Sequence, residues 1–588
     1  MEFKQGRWSL DELLPPQKID ETAKLLSELE GDAVDIESYR TALSPSIKIE
    51  KFVEIFKKIE HFHEKAYVLI SYGQLWFSEN TQNTEALAFV SLVEQKMSEL
   101  YNRILFISLW WQDLNDEDAT RLMSNTKELT YYLKHLRKYK PHTLSEDVER
   151  IINIKDVNGL NALNTIYDMV TSKYVFQLEV NGEQVLLTRD GLTAYVRNMS
   201  ATLRKETYRE LFNIYEKDWP VLSQIYIYQV RNWGSEKVGF RGYKTPISSR
   251  NLDNDVSDSV VNTILEVCKE RADVFGRYFQ LKSRLLGGNE SPLKRYDLYA
   301  PVFKKTEKKI PYSDALNMVF ACFREFSEIF EAKARLVFEK AHIDSEDRPA
   351  KRGGAFCYSV LPKLVPWVLV NYTGEPRQVS TIAHELGHAV HSMMAEDKSI
   401  LTFHPTLPLA ETASVFSEML FLDYLLEHEK DSAVKMELIA NAIDDSYATI
   451  LRQSYFVLFE QKAHEAIAKG KSAEEINDLY YTLLKEQFAG FVDVSADFKY
   501  EWITIPHIYH TPFYCYAYSF GNLLSLALYR KYKQEGKKFV PTFLKILSYG
   551  GSESPEFILK EANIDINDKG FWLKGFDAID DMVTNLRD

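Results

Sequence analysis

Residues Thr381–Val390 read TIAHELGHAV, so His384, Glu385 and His388 stand in the spacing H-E-x-x-H. On a helix, side chains four apart share one face with Cβ atoms about 5–6 Å apart, so two imidazoles can hold one cation. Glu385 falls about 100° further round and is left to handle a water rather than the ion. With 13 histidines in the chain, this spacing arises by chance roughly 0.02–0.03 times in a sequence of this make-up. A surface helix with two unrelated histidines is therefore the weaker account. The chemistry on offer is metal-assisted hydrolysis at neutral pH.

A third ligand must come from elsewhere. The metzincin spacing requires Gly at 391 and His at 394, but His391 and Met394 stand there. Glu396 lies on the same helix, about 12 Å along its axis from His388, and is out of reach. Beyond Pro405 and Pro408 a second helix begins LAETASVFSEM, with Glu411 in its first turn and Glu418 on the same face two turns later. Two His and one Glu with a position open to water make a catalytic zinc site. Glu411 is taken as the ligand and Glu418 as an acceptor that orients a histidine. Either carboxylate read alone is equally a solvated helix charge. His391 shares the His384 face, either supporting the site or as a satisfied helix histidine. His404, in a proline-bounded loop, faces solvent in this reading.

Near the C-terminus, His507, Tyr509, His510, Tyr514, Tyr516 and Tyr518 crowd into one short segment. Phenol and imidazole groups there can donate to a developing oxyanion, although any one of these rings read singly is as well explained by core packing. Cys357 has no base beside it in sequence and reads as a small buried residue rather than a nucleophile.

The elements that must position these groups are mostly helical. Apolar periodicity predicts helices over 19–29, 35–43, 49–77, 83–109, 145–154, 200–216 and 257–286, with Pro376 opening the one that carries the histidines. Two strands, 175–180 and 183–188, flank Asn181-Gly182, the pair suited to a type I′ hairpin turn. A further strand is expected over 365–372. The run Lys304–Lys309 (KKTEKK) reads as a solvated loop.

Composition narrows the class. The chain has 588 residues, 45% hydrophobic and 27% charged, with 71 basic and 85 acidic side chains for a net charge of −14. An acidic chain of this kind is no general nucleic-acid binder. The length alone suggests about four domains, yet Gly 24 and Pro 19 are low and no linker stands out. Four scattered cysteines form no disulfide framework or thiolate cluster. No signal peptide or spanning segment is read, so a cytoplasmic protein without membrane attachment is expected. The surplus of tyrosine, 34 residues, exceeds what a core requires.

These motifs together resemble the M3 metallopeptidases, and within them the oligoendopeptidase F branch. The likeness rests on HELGHAVH (His384–His391), ETASVFSE (Glu411–Glu418), KRGGAFCYS (Lys351–Ser359), VNYTG at the end of the apolar strand, RYDLYAP (Arg295–Pro301) and PHIYHTPFYCYAYSFGN (Pro506–Asn522). It extends to LSEDVERIINIKDVNGLNALNTIYD from Leu144 and so covers about residue 140 to the end. The resemblance implies a mainly-α, bowl-shaped gluzincin fold with one Zn2+ per chain at the floor of a deep channel, and short peptides as substrates. It also implies Glu411 as third zinc ligand, Glu385 as general base, and His507 and Tyr514 as transition-state donors with His510 and Tyr516 in reserve. Gly353, Gly354, Ala355 and Phe356 are implied to touch the substrate backbone, beside residues 368–371 as an edge strand that pairs with it. The division expected is an N-terminal helical lobe over 1–195, including the hairpin, and a catalytic region over 196–588. An exopeptidase of similar design, with Arg352 or Lys363 holding a terminal carboxylate, is the alternative; a non-catalytic peptide-binding helical protein is a third reading.

Overall fold

The computed structural model describes residues 3–14, 19–288, 292–303 and 309–586, so residues 304–308 of the lysine-rich run lie outside the described residues. The chain is mainly α, with three small sheets among the described residues. It forms two compact units, Met1–Glu146 with Lys308–Tyr424 and Lys531–Ile564, and Asp147–Glu307 with Leu425–Arg530 and Asp565–Asp588.

In the first unit the helices Ile49–Glu79 and Thr84–Asp113 bury one apolar stripe each, joining Phe52, Phe56, Phe62 and Leu69 to Val93, Met97, Leu100 and Trp111. Asn83 starts the second of them by accepting from the backbone N–H groups of Glu85 and Ala86. The expected helix over 35–43 is instead the end of a longer one, Ile19–Ser38, followed by a short 3-10 turn. A three-stranded sheet is built from β4 (Ile343–Glu346), β5 (Phe356–Tyr358) and β6 (Trp367–Tyr372) in the order β4-β6-β5, with β4–β6 parallel and β5–β6 antiparallel. Here the structure corrects the sequence reading. Residues 368–371 lie in the central strand, not at an edge; the open edge beside the glycine loop is β5. Unbroken Val and Leu is what a strand paired on both sides requires, and Trp367, Val368 and Leu369 are fully buried.

In the second unit the hairpin β1 (Phe176–Val180) and β2 (Glu183–Leu187) forms in the register the turn predicts, with φ of 55° at Asn181 and 83° at Gly182. The helix capped by Ser200 does not stop near 216 but runs through Pro220 to Trp233. Proline removes one backbone donor, and the buried residues Leu222, Ile225, Tyr226 and Val230 keep the helix continuous beyond it. The helix expected over 257–286 is broken at Arg271 into Asp258–Glu270 and Ala272–Leu285. A last pair of strands, β3 (Leu293–Lys294) and β7 (Val492–Asp493), is parallel. Arg295 of the RYDLYAP motif is buried against Glu501 at 2.8 Å.

Candidate functional site

The histidine helix spans Pro376–Met394. Proline takes its first position, where no donor is lost, and the Gln378 side chain ties the start down: its oxygen accepts from the Glu375 N–H at 3.0 Å, and its amide donates to the Asn371 carbonyl of β6 at 3.0 Å. Val379, Ile382, Leu386, Ala389 and Met393 are buried behind it, leaving His384 and His388 on the opposite face.

That face meets the start of the helix Thr412–His428. The approach depends on a residue that the sequence reading passed over, Gly387. A Cβ built there would stand 2.7 Å from the Ala413 carbonyl oxygen, 2.8 Å from Ser414 Cα and 2.8 Å from Ser417 Oγ. Only hydrogen fits, and the close crossing brings Glu411 over the two imidazoles. His384 Nε2 and His388 Nε2 are 3.1 Å apart, and each lies 3.5 Å from Glu411 Oε2. Among the described residues this is the one group of three or more His, Cys, Asp or Glu side chains with ligand atoms gathered closely enough for a metal ion. The triangle fits a small divalent cation: bonds of about 2.0–2.1 Å in tetrahedral geometry put neighbouring ligand atoms roughly 3.3–3.4 Å apart. Histidine and glutamate side chains of the triangle keep 23–24% of their surface open.

The surrounding groups hold these ligands in place. His384 Nδ1 lies 2.8 Å from Glu418 Oε1. Ser414 Oγ donates to Glu411 Oε2 at 2.9 Å. Metal-binding histidines characteristically spend their second nitrogen in this way. His391 is buried, and burial lowers its pKa to about 4, so it is a neutral neighbour. Burial opposes protonation of His384, but Glu418 and Glu411 outweigh it and lift this imidazole to about 10. Glu385 is 6% exposed; burial, opposed by His384 and reinforced by Glu411 and Glu418, pushes its carboxyl to about 7. A proton acceptor poised near neutrality is what general-base work requires. Three carboxylates around two imidazoles also make a strongly cation-seeking donor set.

Beside this cluster, Lys351 Nζ is buried among the carbonyls of Asp344, Glu346 and Val370, and Asn371 Nδ2 donates to the carbonyls of Arg352 and Gly354. The loop is thereby pinned at its base. Gly353 and Gly354 have open space where a Cβ would stand, and Gly354 has φ of +78°. Ala355 and Phe356 lead into β5. Arg352 is exposed and lies over the Phe356 ring.

The second unit gathers His507, Tyr514 and Tyr518. The His507 and Tyr514 rings are parallel with centroids 6.2 Å apart, and Tyr518 Oη lies 3.4 Å from His507 Nε2. All three are half-buried. Tyr518, noticed in the sequence only as part of the crowded segment, belongs to this group. Two neighbours differ. Tyr516 is fully buried and its hydroxyl accepts from Asn254 Nδ2 at 2.8 Å, which makes it core rather than an open donor. His510 is exposed and lies 3.0 Å from Asp168.

Residues 194–578 match the family model for Peptidase family M3, and residues 110–176 match that for Oligopeptidase F. An oligoendopeptidase F homolog of Borreliella burgdorferi is 24% identical over 578 residues, covering 96% of this chain and 95% of the relative. Oligopeptidase PepF of Bacillus subtilis is 22% identical, with 96% and 84% covered. Of solved structures, a putative peptidase from Chlamydophila abortus superposes with a TM-score of 0.84 at 21% identity, covering 99% and 97% of the two chains. Oligoendopeptidase-F from Enterococcus faecium gives 0.75 at 21%, covering 97% and 98%. These likenesses extend through the first 140 residues, where the sequence motifs were silent. The M3 match spans most of the chain, including the helix of His384 and His388 and the start of the helix beside Glu411; the chain belongs to peptidase family M3 and is a metallopeptidase that hydrolyses peptide bonds.

Proposed function

We propose that the protein is a zinc-dependent oligoendopeptidase that cuts internal bonds of short peptides, with one Zn2+ per chain held by His384, His388 and Glu411. The observation that carries this reading is the 3.1, 3.5 and 3.5 Å triangle of ligand atoms with a buried acid, Glu385, next to it in sequence. A cation bound there polarises the scissile carbonyl and acidifies a water. Glu385 takes the proton of the attacking water and returns it to the leaving amine. Glu418 fixes the His384 ring through Nδ1. Because the histidine helix packs against β5, a peptide adding to the open edge of β5 runs past the base. Pairing of that kind reads backbone rather than side chains, with the Gly353–Phe356 loop touching the substrate main chain. His507 and Tyr514 are assigned, on the family likeness, as donors to the oxyanion that forms as water attacks. We keep 1–195 as an N-terminal region and 196–588 as the catalytic region of the sequence, a division the compact units cut across, since 147–195 group with the second unit.

A reducing, cytoplasmic setting is kept as part of this proposal; Cys268, Cys322, Cys357 and Cys515 form no disulfide with one another. No described helix is long and apolar enough to cross a membrane.

The test is Glu385→Gln with metal analysis. About one zinc per chain is expected to remain while turnover falls by at least ~10³; unchanged turnover would refute the mechanism. An end-blocked, internally quenched peptide separates endo- from exopeptidase action, and failure to cut it would sink the endopeptidase reading.

A further inference from the structure

Between the helices Pro506–His510 and Tyr516–Glu535 the chain makes a tight turn through Thr511, Pro512, Phe513, Tyr514 and Cys515. Its middle residue, Phe513, has φ of 59°, a left-handed conformation that an aromatic side chain adopts only when its surroundings impose it. What imposes it is visible. The Phe513 N–H donates to Glu460 Oε2 at 2.7 Å, and the ring, fully buried, lies 4.7 Å from the His464 ring and 6.3 Å from that of Trp233. Arg250 Nε donates to the Pro512 carbonyl at 3.1 Å. The Tyr514 N–H then closes on the Thr511 carbonyl at 3.1 Å, so the turn delivers the Tyr514 ring parallel to that of His507.

Glu460 is an unusual group to find here. It is 0% exposed in the middle of the helix Arg452–Ala468, and its Oε1 has no hydrogen-bond partner. No ion pair with it is present among the described residues. A buried carboxyl without a cation is costly to keep, and the Phe513 N–H is the contact it makes. Burial raises this carboxyl to about 8, and it accepts from the N–H whether or not it carries the proton.

We infer that Glu460 is a positioning residue for peptide hydrolysis: by accepting from the Phe513 N–H it locks the left-handed turn that aims Tyr514 beside His507. This rests on the reading above in which Tyr514 donates to the oxyanion. A donor aimed at charge present only in the transition state raises kcat and leaves ground-state binding alone. A displacement of about 1 Å at such a group costs up to ~10²-fold.

The experiment compares Glu460→Leu, Glu460→Gln, Tyr514→Phe and the double variant E460L/Y514F as full zinc-loaded chains on one quenched peptide. E460L is expected to lower kcat about 10- to 100-fold with KM and zinc content unchanged. E460Q, which keeps an oxygen for the N–H, is expected to rescue kcat to within about threefold of the parent. In the double variant the two losses should not multiply, because Glu460 acts through Tyr514. Parental kcat in E460L, full multiplication in the double variant, or a loss in E460Q equal to that in E460L would each overturn the proposal. Should E460L fail to fold, Glu460→Asp, which withdraws the acceptor by one methylene, must show the same kcat loss. If Y514F itself turns over normally while E460L does not, the donor role of Tyr514 falls and Glu460 acts through another group. If Y514F is impaired and E460L is not, Glu460 alone is wrongly assigned.

Discussion

Gly387→Ala tests whether the metal site depends on the close crossing of two helices. The added Cβ would stand 2.7 Å from the Ala413 carbonyl oxygen and 2.8 Å from Ser414 Cα, both backbone atoms that cannot swing aside. Even a Cα–H···O contact sits at about 3.3–3.6 Å, so the helices must part by roughly 0.6 Å at this point. Glu411 lies two residues before Ala413 and moves with it. Its 3.5 Å separations from the two imidazole nitrogens would open to about 4.1 Å, against the roughly 3.3–3.4 Å that a tetrahedral zinc requires. Ligand distances tolerate only about 0.2 Å. We therefore expect zinc affinity to fall about 10- to 100-fold, as when ligand support is removed, and stability to fall by about 1–3 kcal/mol from overpacking. Competition with a chromophoric chelator measures the first and calorimetry of the metal-free chain the second. Parental zinc affinity in a folded G387A chain would refute the argument that hydrogen at this position sets the ligand geometry.

Other consequences can be checked on the same material. Glu418→Gln keeps an acceptor for His384 Nδ1 but removes its charge; zinc affinity should drop about tenfold, with activity restored by excess zinc, and an unchanged affinity would show that Glu418 is solvated charge only. Tyr514→Phe should lower kcat by about 10²–10³ with little change in KM; equal losses in both would make it a binding residue. Glu460 predicts a pH dependence of stability. Burial raises its carboxyl from 4.5 to about 8, so the folded chain holds this proton more tightly than the unfolded one. Its contribution is therefore full below about pH 4.5 and is lost as pH rises towards 8. The Tm of Glu460→Gln relative to the parent should then climb between pH 5 and pH 8.5, and a constant difference would rule out titration of this group.

Much of the site was legible in the chain because its signals are local. His384 and His388 lie one helical turn apart, and the apolar stripe from Val379 to Met393 says which way the helix faces. Asn181-Gly182 specifies its own turn, and Asn83, Ser200 and Ser257 begin helices through bonds to residues two or three positions on. Other features could not be read, because they depend on neighbours distant in sequence. Apolar residues at 367–370 announce burial but not whether a strand is central or at an edge; the partners β4 and β5 decide that. Tyr516 and Tyr514 are the same residue type two positions apart, and only packing makes one core and leaves the other half open.

The sequence by itself determined the histidine helix: periodicity and residue type within a dozen positions set two imidazoles and an acid on one helix, and local backbone geometry requires nothing further. The sequence and its family resemblance named Glu411 as the carboxylate that joins them, but only the tertiary structure gives the reason, because its 3.5 Å approach exists only where Gly387 lets a second helix come close. The tertiary structure also decided that β5 rather than β6 offers the open edge, and that a buried carboxyl at Glu460 governs a turn some fifty residues later in the chain. Such contacts depend on chain closure over long loops, and no local pattern records them.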